Sequence, residues 1–226
     1  MLVLAIDTAL DACSAVVLDT ARGAIVSRES LPMVRGQAEV LMPLVQRVME
    51  QAGVAFAALD RIAVTVGPGS FTGLRVGIAA ARGIALAAGK PAIGLSTLAA
   101  FAAPHIAADE FATVVAAIDA RHGHVYLQVF GPAGRTLIAP RVAPLAEAIA
   151  VSAGAKCITG TGAELVAAAW PEDDPRPEIV DMRAAPDIDW VARLGAAARD
   201  NQGAPKPLYL RAPDAQPQDA ASLPRR

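Results

Sequence analysis

Short apolar runs separated by polar, glycine-bearing turns fill the first third of the chain. LVLAI at 2–6 is rich in residues that suit a pleated strand, and it ends on Asp7. CSAVVLD (13–19) and AIVSRES (24–30) flank TARG, whose Gly23 suits a hairpin turn. The period then changes. Leu41, Leu44, Val45, Val48 and Met49 recur at helical spacing, which predicts an amphipathic helix closed by Gly53. Pro43 lies near its first turns and removes one backbone hydrogen bond there. RIAVTV (61–66) reads as a buried strand. TVGPGSFTGLRVGIAAARGIALAAG (65–89) reads as the end of that strand, a glycine-rich turn and a long helix. The first half is therefore expected to run β-β-β-α-β-α.

The second half repeats the order. FATVVAAID (111–119) and HVYLQVF (124–130) are strands, GPAGR is a turn, and TLIAPRV is a third strand. PLAEAIAVSAG is a short helix, KCIT (156–159) a strand, and GTGAELVAAAW opens a helix. Two echoes support a duplication. AID recurs at 5–7 and 117–119 at strand ends, and GPGS at 67–70 is echoed by GTGA at 160–163 between strand and helix. PEDDPRPE (171–178) is an exposed connection, DIDWVARLGAAARD (187–200) a last helix, and PLYLR a segment that packs onto the body. The expected class is α/β in two lobes, residues 1–95 and 96–213, followed by a proline-rich, polar tail at 214–226 expected to be disordered.

With 54% hydrophobic and 19% charged residues over 226 positions, the chain is long and apolar enough to bury a large core. Aromatic residues reach only 4%, so that core must be built from Ala, Val, Leu and Ile at close range. The net charge of −2 lacks the basic surplus of a protein that grips a nucleic-acid backbone by itself. Cys13 and Cys157 stand far apart, which suits two buried thiols in a reducing compartment rather than a disulfide framework. MLVLAID has neither the basic start nor the length of a secretion signal, and no run was expected to reach membrane-spanning length; the expected location is the cytoplasm.

The candidate chemistry is sparse. Gly67 and Gly69 fit the start of a dinucleotide fingerprint, but Thr72 holds its third glycine position, and no lysine follows as a Walker loop requires. What remains is a helix start with Ser70 as N-cap, able either to attract an anion or simply to close a tight turn. Asp7 and Asp119 end corresponding strands and would face each other across a cleft. Carboxylates there could hold Mg²⁺ through water or merely cap their turns. His122 and His124 would share a strand face, yet no third ligand is spaced for zinc, and His105 is isolated. Ser14, Ser70 and Ser96 lack a nucleophile-elbow context. In the long helix Gly73, Gly77, Ala81 and Ala85 fall four apart. Small residues on one flank allow close approach either to the sheet or to another helix, and the second reading is expected.

LAIDTALDACSAVVL, GPGSFTGLRVGIAAARGIAL, AAIDARHGHVY and PLYLR together resemble the TsaB family across about residues 2–211. The resemblance implies a duplicated actin/Hsp70-like (ASKHA, RNase H-like) fold. It also implies a non-catalytic role in threonylcarbamoylation of the adenosine that follows the anticodon in certain tRNAs. Implied partners are a TsaD-like catalytic subunit, a TsaE-like ATPase and, in isolation, a second copy of the chain, with tRNA reached only through the complex and no membrane involved. No cofactor or metal is implied for this chain itself, while ATP or ADP could bind at the complex. The helices at 38–51 and 71–88 would carry the partner interface, at Leu41, Leu44, Val45, Val48, Gly73, Leu74, Gly77, Ile78 and Ala81. Asp7, Gly67, Gly69 and Ser70 would form whatever nucleotide or anion loop remains. Gln37 and Ala38 depart from the His-Ser/Thr pair that many relatives carry at the first helix start. Two other readings stand beside this one: a sugar-type kinase of the same fold, and a peptidase-like relative.

Overall fold

The computed structural model describes residues 1–199 and 203–211. The first half builds β1 (Leu2–Asp7), β2 (Ala12–Asp19), β3 (Ala24–Pro32), α1 (Gln37–Ala52), β4 (Arg61–Gly67), α2 (Phe71–Ala88), β5 (Ala92–Ser96) and α3 (Thr97–Ala108). The second half builds β6 (Val114–Asp119), β7 (His124–Phe130), β8 (Thr136–Pro144), α4 (Leu145–Ser152), β9 (Cys157–Thr159), α5 (Ala163–Ala168), β10 (Glu178–Asp181) and α6 (Ile188–Ala197). The expected tail at 214–226 lies outside the described residues.

Two five-stranded sheets result, ordered β3-β2-β1-β4-β5 and β10-β9-β6-β7-β8. Read from the other edge, the second is the first repeated: an antiparallel meander followed by two strands parallel to its first. The β-β-β-α-β-α duplication thus appears in the pairing itself. β1 pairs antiparallel with β2 and parallel with β4, as β6 does with β7 and β9.

The small-residue composition shows its purpose in the layering. Leu4, Ile6, Ala15 and Val17 point to one side of the first sheet and pack with α1 and α2. Val3, Ala5, Val16 and Leu18 point to the other side, against Ile188, Val191 and Ala192 of α6. On the second sheet Val114, Ala116 and Ile118 meet Leu98 and Phe101 of α3, while Val115 and Ala117 face the α4–α5 side. Helices α3 and α6 therefore lie between the sheets, and the order of layers is helix pair, sheet, helix pair, sheet, helix pair.

The division at 95/96 needs correction. Although late in the chain, α6 belongs to the core of the first lobe. Its Gly195 sits so close to Ala63 of β4 that a side chain would collide. The Arg61 guanidinium donates to the carbonyls of Gly195, Ala196 and Ala198 at 2.9, 3.2 and 2.8 Å, satisfying the open end of the helix. Helix α2 departs from another expectation. Its 18 residues and mean hydropathy of 1.3 reach the range of a membrane span. Here its inner face instead packs on the first sheet.

Gly195→Ala should lower stability by about 1–3 kcal/mol, because overpacking against Ala63 outweighs the roughly 1 kcal/mol that alanine gains in a helix. Urea unfolding would show this as a lower midpoint at unchanged slope. A rise in midpoint would show that α6 does not sit tightly on β4.

Candidate functional site

The ends of the parallel strands β1 and β4 meet beside the start of α2. Asp7 is fully buried. Its Oδ1 accepts hydrogen bonds from the Thr65 hydroxyl and, at 3.2 Å, from the amide of Ala9. Its Oδ2 is buried without a partner. Burial outweighs those two bonds and lifts the carboxyl from 3.8 to about 6. The neighbouring Thr8 hydroxyl donates to the carbonyl of Gly73 at 2.7 Å. The Ser70 amide, at the start of α2, donates to the carbonyl of Ala9 at 2.7 Å. A side chain on Gly69 would strike Ala9, and one on Gly73 or Gly77 would strike Thr8. The two turns thus close on each other.

The residual anion loop expected at Asp7, Gly67, Gly69 and Ser70 is corrected accordingly. Asp7 and Gly67 are buried, and the Ser70 amide is occupied by the protein's own backbone. Only Gly69 and Ser70 border the cleft. The second lobe echoes the arrangement: the Gly162 amide donates to the carbonyl of Ala117 at 3.0 Å. Asp119, in contrast to Asp7, is exposed and accepts from the amide of Arg121 at 2.7 Å.

Between the lobes lies a cleft of about 690 Å³, walled by Leu10, Asp11 and Phe71 on one side and by Asp119, Arg121 and Tyr126 on the other. That volume suits a small ligand. Tyr209 and Arg211, from the expected PLYLR segment, complete the wall. His122 lies in the turn at φ 53° rather than on the strand, and its carbonyl is 2.8 Å from Nδ1 of His124. Among the described residues no three His, Cys, Asp or Glu side chains gather to hold a metal ion. The hydroxyls of Ser14, Ser70 and Ser96 bond to Ser30 and to the amides of Gly73 and Ala99.

The nine positions expected to carry a partner interface are buried in the monomer. Leu41, Leu44, Val45 and Val48 fill the space between α1 and the sheet, and Leu74, Ile78 and Ala81 do the same beneath α2. Gly73 and Gly77 approach Thr8 of the same chain. All nine thus lie on the inward side of their helices. The outward line of α2 is Thr72, Ala79, Gly83 and Leu86, with Val76 partly buried among them. Leu86 is 86% exposed, and a side chain added at Gly83 would meet nothing within 4 Å. Beside the exposed edge of α1, Met42, Pro43, Gln46, Met49, Glu50, Gly53, Val54 and Phe56 line an open, mostly apolar groove of about 630 Å³. Arg75 and Arg82, seven apart, were the signal in the sequence that marked the solvent side of α2.

A family model described as TsaD, tRNA N6-adenosine threonylcarbamoyltransferase, matches residues 32–167. The TsaB protein of Escherichia coli is 40% identical over 126 residues, 56% of this chain and 53% of that one. The TsaB protein of Haemophilus influenzae is 37% identical over 123 residues, covering 54% and 51%. The chain matches about half the length of these curated relatives. The crystal structure of YeaZ from Pseudomonas aeruginosa superposes with a TM-score of 0.74 at 31% identity, over 92% of this chain and 99% of that one. An Arthrobacter polyphosphate/ATP-glucomannokinase, at 15% identity and a TM-score of 0.50 over 87% and 98%, shares the fold alone. The duplicated, actin-like α/β architecture is thus the fold of this chain.

Asp7→Asn should remove a pH dependence of stability. The folded chain holds the proton of Asp7 more tightly than the unfolded chain does. The stability this contributes is full below pH 3.8 and is lost as pH rises through about 6. Thermal melts of the wild type should fall over that window and those of the variant should not. At pH 7 the variant should keep the stability it has at pH 4, whereas the wild type should have lost part of its own. Parallel pH profiles would show that Asp7 is solvated.

Proposed function

The chain belongs to the TsaD family, among relatives named TsaB, and from that membership we propose that it is the non-catalytic subunit of a machinery that threonylcarbamoylates adenosine in tRNA. In this reading it pairs with a TsaD-like catalytic subunit through the outer faces of α1 and α2. The observation that carries the proposal is that the solvent side of α2 bears an apolar line beside its two arginines, Arg75 and Arg82. Its inner side fills the core, while its outer side presents Ala79, Gly83 and Leu86 to solvent, although an exposed helix face ordinarily carries charge. Gly83 has no packing role in the monomer, so its helix penalty of roughly 1 kcal/mol finds its reason in a neighbouring backbone. The apolar groove beside Met42 and Phe56 extends the same surface.

The same face serves a homodimer when the catalytic subunit is absent. A TsaE-like ATPase joins the pair, and ATP or ADP binds at the assembly. tRNA is held through the complex, consistent with a net charge of −2. Cys13 and Cys157, both buried free thiols, suit the cytoplasm. The kinase reading fares worse, because the turn that would grip phosphate has closed on Ala9 and left Asp7 without access to the cleft.

Mixing the purified chain with its TsaD-like counterpart and measuring association by calorimetry tests the proposal. Ala79→Arg should weaken association at least tenfold without moving the melting temperature of the isolated chain. Gly83→Ala should raise that melting temperature, by the equivalent of about 0.5–1 kcal/mol. The proposal fails if the wild-type chains do not associate, or if Ala79→Arg binds as the wild type does.

A further inference from the structure

After α6 the chain returns to the first lobe and then reaches across the cleft. Pro205 is buried beside Gly94, whose absent side chain leaves room for it. The Leu208 amide donates to the carbonyl of Val66 at 2.7 Å, adding a backbone bond at the end of β4. The ring of Tyr209 stacks on Phe71 at the start of α2, with centroids 5.5 Å apart and planes 26° from parallel. Arg75, one turn later, places its guanidinium 3.7 Å from the centre of the Phe71 ring and donates from Nε to the Tyr209 hydroxyl at 3.1 Å. Two residues on, Arg211 donates to the carbonyl of Ala120 in the second lobe at 3.3 Å.

We propose that residues 205–211 form a latch across the mouth of the cleft, hinged on the first lobe at Tyr209 and catching the second lobe at Arg211. The two grips differ in kind. The hinge combines a buried proline, a backbone hydrogen bond, an aromatic stack and a cation over a ring. The catch includes a part-buried hydrogen bond from the Arg211 guanidinium to a backbone carbonyl of the second lobe.

The catch meets a sprung element. Directly after Ala120, Arg121, His122 and Gly123 hold φ angles of 63°, 53° and 71°, a left-handed run in which two residues carry side chains. The hairpin holds that conformation through the Asp119 carboxylate on the Arg121 amide and through the mutual bonds of Ala120, Arg121 and His124. Strain of this kind persists only where surroundings over-determine it. Arg211 supplies one such restraint at its base. The latch sets how freely the Asp119–Arg121 wall of the cleft moves, and so governs entry to the 690 Å³ space behind it.

Hydrogen–deuterium exchange of the full chain tests this. In Arg211→Ala, amides of residues 119–124 should exchange at least threefold faster, while those of 67–71 keep the wild-type rate. In Tyr209→Ala both segments should speed up at least threefold, and β1, β4 and β6 should be unchanged in both variants. Wild-type rates at 119–124 in both variants would overturn the latch. Acceleration spreading equally through β1, β4 and β6 would overturn it too, since that is general loosening. Acceleration at 67–71 by Arg211→Ala as large as at 119–124 would overturn the hinge.

Discussion

A close approach between the backbone after β1 and the turn and first two turns of α2 governs the rest. Thr8 and Ala9 lie so near Gly69, Gly73 and Gly77 that no side chain fits between them. Thr8 bonds to the Gly73 carbonyl and Ala9 to the Ser70 amide. Glycine within a helix is unfavourable by itself, so these positions persist because contact between backbones and two long-range hydrogen bonds more than offset it. From that contact follow the depth at which Asp7 is buried, the closure of the loop before α2, and the angle at which α2 crosses the sheet.

Fixing α2 from its inner side leaves its outer side free. A helix at the surface of a lone globular chain would carry charge there, but this one carries two arginines to one side of a line of small and apolar residues. The surface loses solubility and the helix loses propensity at Gly83, and the proposed pairing, in which another protein covers that line, would offset both losses. Phe71 and Arg75, which hold Tyr209, stand on the same helix. A partner on α2 would therefore touch the element on which the latch is hinged. The docking face and the cleft, though they point in different directions, share one rigid rod.

Much of the architecture was legible from periodicity. Each predicted strand and helix of both halves is present, and the echo of AID and of the glycine turns reported a true repeat of sheet order. The side of α2 was not legible in the same way. On α1 most apolar positions form one stripe that faces the core, with Met42 and Pro43 outside it. On α2 apolar residues surround the axis, so periodicity chooses no face, and only the placement of Arg75 and Arg82 breaks the tie. Nor could spacing reveal that Thr8 meets Gly73 or that α6 returns to the first sheet. Both are contacts between distant positions, made by residues with no distinctive chemistry.

The two lobes share their turn geometry and differ in what it hides. In the first, the closed turn seals a carboxylate whose pKa its burial raises. Shut away from the cleft, it reaches neither a hydrated cation nor a phosphate at the cleft surface. In the second, Asp119 remains exposed at the cleft beside Arg121, and the hairpin that carries them is held in an uncommon conformation. This chain keeps an open polar wall on one side and supplies much of the other with Phe71, Leu10 and the aromatic hinge of its own C-terminal segment. The cleft therefore sets one polar wall against a packed one, and a ligand entering it would meet charged groups chiefly from the second lobe and the C-terminal segment.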